Sequence, residues 1–262
     1  MTEAARLFTE RSSRVVAAAK LHRHAARKRS GRFLAEGPNL VEAALRCGLV
    51  REVFVTEAAA AKFDSLLADI DIPVQPVTER AAKALSDTVT PVGLVAVCEP
   101  PATVLADITD PRLVVVAVGV SEPGNAGTLI RLADAFGASA VVFSGHSVDP
   151  YNAKCLRASV GSVFAVPVIL EADTATALMA LSERGLQVLA TALDGDVSVD
   201  DVDVSVPTAW VFGSEAHGLS AEVAAAADRR VRIPMGGGAE SLNVAAAAAI
   251  CLYLSARAQR TN

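Results

Sequence analysis

The chain has 262 residues, 52% of them hydrophobic and 20% charged, with a formal net charge of -5, which is enough for one large domain or two small ones with real cores. Four cysteines, Cys47, Cys98, Cys155 and Cys251, lie far apart and never form a Cys-x-x-Cys pair, which argues against a zinc site or a disulfide framework. That cysteine usage predicts no metal and fits a reducing cytoplasm, and the charged N-terminus and lack of any apolar run of membrane-spanning length predict no membrane segment.

A helix is predicted over Ser12 to Lys28, then a short strand from Phe33 to Ala35 that ends at Glu36-Gly37-Pro38. Asn39 can cap a helix from Leu40 to Arg46, with Gly48 at its C′ position. Strand Glu52 to Val55, helix Ala58 to Ala68, a short strand near Val74, helix Glu79 to Leu85 and strand Gly93 to Val97 complete a small α/β unit. Glu99-Pro100-Pro101-Ala102-Thr103 breaks the pattern, because consecutive prolines continue neither a sheet nor a helix. The expected domains are therefore residues 1–105 and 106–262.

In the second domain, Leu113 to Val118 is a continuous β-branched apolar run of the kind found in a buried parallel strand. Further strands are predicted at Ala140 to Phe143, Ala165 to Leu170, Gln187 to Ala190, Ala209 to Phe212 and Arg230 to Ile233. Helices are predicted at Leu129 to Phe136, Ala153 to Ser159, Thr174 to Arg184, Ala221 to Ala227 and Val244 to Leu254. Alternation of this kind predicts an α/β fold, a mostly parallel sheet with helices on both faces.

The acidic net charge hides a local excess of base. Arg6, Arg11, Arg14, Lys20, Arg23, Arg27, Lys28, Arg29 and Arg32 crowd the first segment against only Glu3 and Glu10. Such a cluster is the electrostatic footprint of a phosphate backbone, and it equally suits a solvated amphipathic helix. His22 and His24 lie within it without a cysteine or carboxylate at ligand spacing, and read as surface residues.

Three strand-to-helix loops in the second domain carry the candidate chemistry. The first runs from Val120 to Arg131 and holds Asn125, Gly127 and Arg131. With the helix predicted from Leu129, Arg131 falls in its first turns, where the macrodipole disfavours a cation, so stability alone does not account for it. An arginine beside a helix N-terminus makes a phosphate or alkoxide site; an arginine turned to solvent is the other reading. The second loop, Gly213-Ser214-Glu215-Ala216-His217-Gly218-Leu219-Ser220, brackets a carboxylate and a histidine with glycines, where a mere connection would need the glycines but not Glu215. The third, Ile233 to Asn243, places three glycines, Ser241 and Asn243 before an alanine-rich helix. A dinucleotide-binding fold does not fit, because Gly124 and Gly127 do not form Gly-x-Gly-x-x-Gly and the second strand ends without an acidic residue for a ribose diol.

Asn125-Ala-Gly127 with Arg131, then Gly213-Ser-Glu215-Ala-His-Gly218, then Ile233-Pro-Met235 with Ser241-Leu242-Asn243, resembles in order and separation the three motifs of the SpoU-type (TrmH-like) RNA ribose 2′-O-methyltransferases of the SPOUT superfamily. Phe33-Leu-Ala-Glu36-Gly37 and its following helix resemble that family's substrate-binding extension, which is similar to kink-turn-binding ribosomal proteins. The whole layout is similar to the thiostrepton-resistance type of 23S rRNA methyltransferase. The resemblance implies a C-terminal trefoil knot, a homodimer, S-adenosylmethionine as cofactor and structured RNA as substrate, with rRNA favoured over tRNA; a non-catalytic RNA-binding adaptor is the competing class. By the same resemblance Gly213, Ile233 and Leu242 hold adenine and ribose, with Gly218, Met235 and Ser241 close by. The resemblance also implies that Asn125, Glu215, Ser241 and Asn243 orient Arg131, the cofactor and the target nucleotide, and that the charge of Arg131 stabilises the forming alkoxide. Arg157 sits where the family often carries an RNA-contacting arginine, a helix-surface arginine being the other reading, and Arg23, Arg27, Lys28 and Arg29 of the basic cluster are the expected RNA contacts of the front domain.

Overall fold

A computed structural model describes residues 7–68 and 70–260, so Glu3 and Arg6 of the basic segment lie outside the described residues. Packing divides the chain into two units, the first running to Pro101 and including Tyr151–Phe164, the second holding Ala102–Pro150 and the chain from Ala165 onward. The segment 151–164 thus packs with the front unit, although the sequence boundary assigns it to the second domain.

The front unit contains α1 (Ser13–Ala19), α2 (His24–Ser30), β1 (Phe33–Glu36), α3 (Pro38–Arg46), β2 (Val50–Val55), α4 (Glu57–Lys62), α5 (Asp64–Leu67), β3 (Val74–Pro76), α6 (Glu79–Leu85) and β4 (Leu94–Cys98). Its four-stranded sheet has the order β1-β4-β2-β3, antiparallel except for the β2/β3 pair. Val15, Ala18 and Leu21 pack with Ala81, Ala82 and Leu85 of α6 over one face of this sheet. Two predicted helices are each split. The chain breaks at Arg23 (φ -92°, ψ 130°) between α1, its 3₁₀ extension Lys20–His22, and α2. Arg27 explains that break, because its guanidinium turns inward and donates to the carbonyls of Leu21 (2.9 Å) and His22 (3.0 Å), which the interrupted helix leaves open. The second break, at Phe63, separates α4 from α5. α3 starts one residue before the expected Asn39 cap, with Pro38 at N1 behind Gly37, the arrangement a fixed proline φ favours.

The second unit contains β5 (Leu113–Val118), α7 (Pro123–Ala135) and β6 (Ala140–Ser144); after α8 (Ala153–Ser159), which packs in the front unit, follow β7 (Val168–Glu171), α9 (Thr174–Glu183), β8 (Gln187–Thr191), β9 (Val197–Ser198), β10 (Thr208–Phe212), α10 (Ala221–Ala225), β11 (Arg229–Arg232) and α11 (Val244–Arg260). All neighbours in its seven-stranded sheet, β7-β6-β5-β10-β8-β11-β9, are parallel. Alternation along the strands splits the core. Val114, Val116, Val142, Val188, Ala209 and Val211 meet Ala177, Leu178 and Leu181 of α9 on one face. On the other, Trp210 of β10 donates its indole N–H to Ser255 of α11 at 2.8 Å, with both side chains buried. The β7 strand starts three residues after the predicted Ala165, beyond Pro167, which has no N–H to give a ladder. Burial pushes the thiols of Cys98 and Cys251 up to about 12, so both are packing residues rather than nucleophiles. No helix among the described residues is long and apolar enough to cross a membrane, and none of their His, Cys, Asp or Glu side chains group to hold a metal ion.

Candidate active site

Parallel pairing puts the C-terminal ends of β5, β10, β8 and β11 on one edge of the sheet, where Phe212 pairs with Ala117, Val211 with Ala190 and Val231 with Thr191. β5 leads away to β6 on one side while β8 and β11 lie on the other side of β10, so this edge is a point where the strand order reverses. Crevices outside the carboxyl ends of strands at such a point are where open α/β sheets bind ligands.

A cleft of about 650 Å³ opens there, within the range of small-molecule and cofactor sites. Every cofactor-binding residue predicted from sequence, Gly213, Gly218, Ile233, Met235, Ser241 and Leu242, lines it. The wall after β10 is a tight hairpin in which Ser214 and Gly218 exchange two backbone hydrogen bonds of 3.1 and 2.9 Å. Gly218 sits at φ +66°, and a Cβ on Gly213 would come within 2.2 Å of the Gly218 carbonyl carbon and 2.5 Å of the Leu219 nitrogen. Glycine is therefore required at Gly213 by backbone meeting backbone. Gly236, Gly237 and Gly238 differ, since a Cβ on any of them would meet nothing within 4 Å.

The polar residues of the three loops join into one hydrogen-bonded chain. Asn125 Nδ2 donates to Glu215 Oε1 at 2.9 Å, Asn243 Nδ2 donates to Asn125 Oδ1 at 3.0 Å, and Asn243 Oδ1 accepts from the Ala245 N–H at 2.9 Å in the first turn of α11. Glu215 also accepts from the backbone N–H groups of Ser121 and Glu122, each at 3.3 Å. Partial burial raises the Glu215 carboxyl, but the donors from Asn125 and the backbone outweigh it and hold the group below the usual carboxylate range. It is an ionised anchor at neutral pH, and the orientation of both amides follows from its being acceptor-only.

Arg131 requires a correction to the sequence argument. Glu122 caps α7 through its Oε1, which accepts from Gly124 N–H at 3.3 Å, and Pro123 occupies the first helical position. The helix thus begins six residues before Leu129, and Arg131 is its ninth residue. A dipole effect confined to the first turn does not reach it. Its side chain is exposed, and neither it nor Asn125 nor Asn243 belongs to the lining of the cleft.

The loop after β8 was not legible in the sequence. Thr191, Ala192, Leu193 and Asp194 line the cleft, as does Arg230. The Arg230 guanidinium clamps that loop through Asp196 (2.7 and 3.0 Å) and Asp194 (3.1 Å). A Cβ on Gly195 would lie 2.6 Å from the Arg232 nitrogen, so the loop lies directly on β11. Position at a strand end, one residue past a predicted strand, was the one available signal.

Comparison with known proteins decides the family. The SpoU rRNA methylase family matches residues 112–253, and the MRM3-like substrate binding domain matches residues 12–96. The chain belongs to the SpoU rRNA methylase family. Among curated relatives of this SpoU protein, the 23S rRNA (guanosine(2553)-2'-O)-methyltransferase RlmP of Bacillus subtilis is 36% identical, covering 89% of this chain and 92% of its own. The SpoU methyltransferase AviRb of Streptomyces viridochromogenes, solved with AdoMet, superposes with a TM-score of 0.89 at 31% identity over 96% of this chain and 99% of that one. An AdoMet-bound rRNA methyltransferase of Sinorhizobium meliloti gives 0.86 at 31% identity, over 96% and 97%.

In the front unit, Arg23, Lys28 and Arg29 are exposed, as their assignment to RNA needs, whereas Arg27 is buried with 8% exposure and committed to backbone carbonyls. That placement withdraws Arg27 from the phosphate-contacting set and makes it the support of the Arg23 turn. Arg157 is exposed on α8 and pairs with Asp87 at 3.2 Å.

Proposed function

We propose that this SpoU-family chain transfers the methyl group of S-adenosylmethionine to the ribose 2′-hydroxyl of a guanosine in 23S rRNA. One observation carries the reading: Gly213, Gly218, Ile233, Met235, Ser241 and Leu242, drawn from two loops, converge on a single cleft, and glycine there leaves backbone amides and carbonyls open to a ligand. The donor set suits a neutral heterocycle and ribose. S-adenosylmethionine bound there supplies an electrophilic methyl group on a sulfonium.

The chain's own residues then position an oxygen and stabilise its developing charge. Peptide groups of Gly213, Ile233 and Leu242 hold the adenosine portion, and Ser241 borders it. The Glu215-Asn125-Asn243 chain ties the three loops to one geometry. Glu215, held below the usual carboxylate range, is a weak base, so its role is anchoring rather than proton removal. Arg131 acts on the alkoxide and the neighbouring phosphate through its guanidinium charge and planar fork. Because Arg131 stands exposed on α7 outside the cleft lining, the reading includes a homodimer that completes the site, with the family's trefoil knot formed around α11. Arg23, Lys28, Arg29 and Arg157 receive rRNA phosphates in the cytoplasm. The exposed Arg157–Asp87 pair is of a kind worth little, so exchanging it for a phosphate costs little.

The test is mapping of ribose 2′-O-methylation on a 23S rRNA transcript and on total tRNA, each incubated with the protein and S-adenosylmethionine. One new guanosine methylation in 23S rRNA is expected. Methylation confined to tRNA, or RNA binding without any transfer, overturns the substrate or the activity.

A further inference from the structure

A second concave site lies within the front unit. It encloses about 210 Å³ between the 3₁₀ turn Lys20–His22, β1 and the first residues of α8, and its wall includes His22, Arg27, Asp87, Tyr151, Asn152 and Lys154. That is room for about seven waters at roughly 30 Å³ each, enough for one flat heterocycle and too little for a base pair.

Three features of the wall suit an RNA base. Tyr151 is buried and packs on Phe33 with ring centroids 4.8 Å apart, which makes a firm apolar side. The Asp87 carboxylate, the Asn152 amide, whose Oδ1 caps α8 by accepting from the Cys155 N–H at 2.9 Å, and the Lys154 side chain also border the pocket. His22 Nε2 is a buried side-chain atom with no hydrogen-bond partner among the described residues, and buried polar atoms in that state are uncommon enough to call for a ligand or water. Around this wall the charge is positive. Lys20, Arg23 and Lys28 are exposed on the same short segment. Sequence-specific recognition of RNA works on unpaired bases, read at their edges, with cations on the flanking phosphates.

We infer that this pocket receives the base of a single unpaired nucleotide of the rRNA substrate, with its phosphates met by the surrounding lysines and arginines. The inference rests on the RNA methyltransferase reading and adds to it a point at which the front unit recognises an unstacked base rather than duplex shape.

The experiment uses the full-length protein and two RNA hairpins with the same stem, one carrying a single bulged nucleotide and one without it. Anisotropy at fixed salt gives both affinities, and calorimetry gives the S-adenosylmethionine affinity in parallel. The wild type is expected to favour the bulged hairpin by about tenfold, the scale of one base contact. Ala153→Trp, which fills the pocket, and Lys154→Ala, a change at an exposed position, should each bring that preference to within about twofold while S-adenosylmethionine binding is unchanged. If the wild type shows no preference, or both variants retain it, the pocket is not a base-binding site. Absence of both RNA and S-adenosylmethionine binding in the wild type would instead overturn the enzyme reading, and the pocket with it.

Discussion

Asn125 is the midpoint of the hydrogen-bonded chain, so Asn125→Ala tests whether that chain holds the cleft in shape. The substitution removes a 2.9 Å bond to Glu215 and a 3.0 Å bond from Asn243. A hydrogen bond to a charged group contributes about 1.5–3 kcal/mol and a neutral one about 0.5–1.5, and with both partners partly exposed the lower ends apply, about 2 kcal/mol together. If all of that serves loop order, S-adenosylmethionine affinity falls by up to roughly thirtyfold. Global stability should change less, because loops at a sheet edge open locally. Asn125→Asp should be worse than Ala, since it sets a second carboxylate against Glu215. The pH dependence gives a separate signature. Glu215 has a depressed folded-state pKa, so its contribution is present above the ordinary carboxylate pKa and is lost as pH falls through the depressed value. Without the Asn125 donor that loss moves to higher pH. Calorimetric titration of S-adenosylmethionine from neutral to acid pH measures both effects. An affinity for Asn125→Ala within about twofold of wild type, with the same pH profile, would show that the chain is not what orders the cleft.

Three further outcomes follow from the same geometry. Gly213→Ala drives a Cβ into the backbone of Gly218 and Leu219, so the hairpin must move and S-adenosylmethionine binding should fall by more than about tenfold, read by calorimetry, with the far-ultraviolet dichroism unchanged. Ser255→Ala strands the buried indole N–H of Trp210 and should cost about 1–3 kcal/mol in urea unfolding followed by the fluorescence of that residue; a change below about 0.5 kcal/mol would refute the bond's importance. Arg131→Ala should leave S-adenosylmethionine affinity near normal and lower single-turnover methyl transfer by about a hundredfold, with little rescue by Arg131→Lys; a near-normal rate would remove Arg131 from the mechanism.

The central strands β5, β6 and β10 of the second unit were legible because they are buried on both faces, and Leu113 to Val118 shows this as an unbroken apolar run. Elements set by a side chain reaching back to the backbone were not. Nothing in Ser12 to Lys28 marks a break at Arg23, because the cause is the Arg27 side chain binding two carbonyls. Pro123 and Gly124 look like loop residues in the sequence, whereas proline at N1 behind the Glu122 cap begins α7. That misplacement alone produced the dipole argument for Arg131, leaving the resemblance to the family motif as its support. β9 is a two-residue edge strand with no periodicity to detect. In the site, the glycines and polar residues were visible as motifs, but their connection was not: Asn125 lies 90 residues from Glu215 and 118 from Asn243. Thr191 to Asp194 carry no residue type that announces a cleft, and only the strand order brings them there.

The site and the core are mechanically one object through α11. At its start, Asn243 accepts from Ala245 and donates to Asn125, so the first turn of the helix fixes the third loop against the first. Farther along, Cys251, Leu252, Ser255 and Ala256 are buried, and Ser255 meets Trp210 in the middle of β10. β10 in turn ends at Phe212, and the second loop begins at the next residue, Gly213. The same strand therefore carries one wall of the cleft at its C-terminal end and anchors, from its centre, the helix that delivers the opposite wall. A close-packed interior does not deform continuously, so the spacing of those walls is set by how α11 seats on β10 rather than by the loops alone. The exposed glycines Gly236 to Gly238 lie between these fixed ends with open space around them, which is where the third loop has room to adjust without disturbing Asn243 or the sheet.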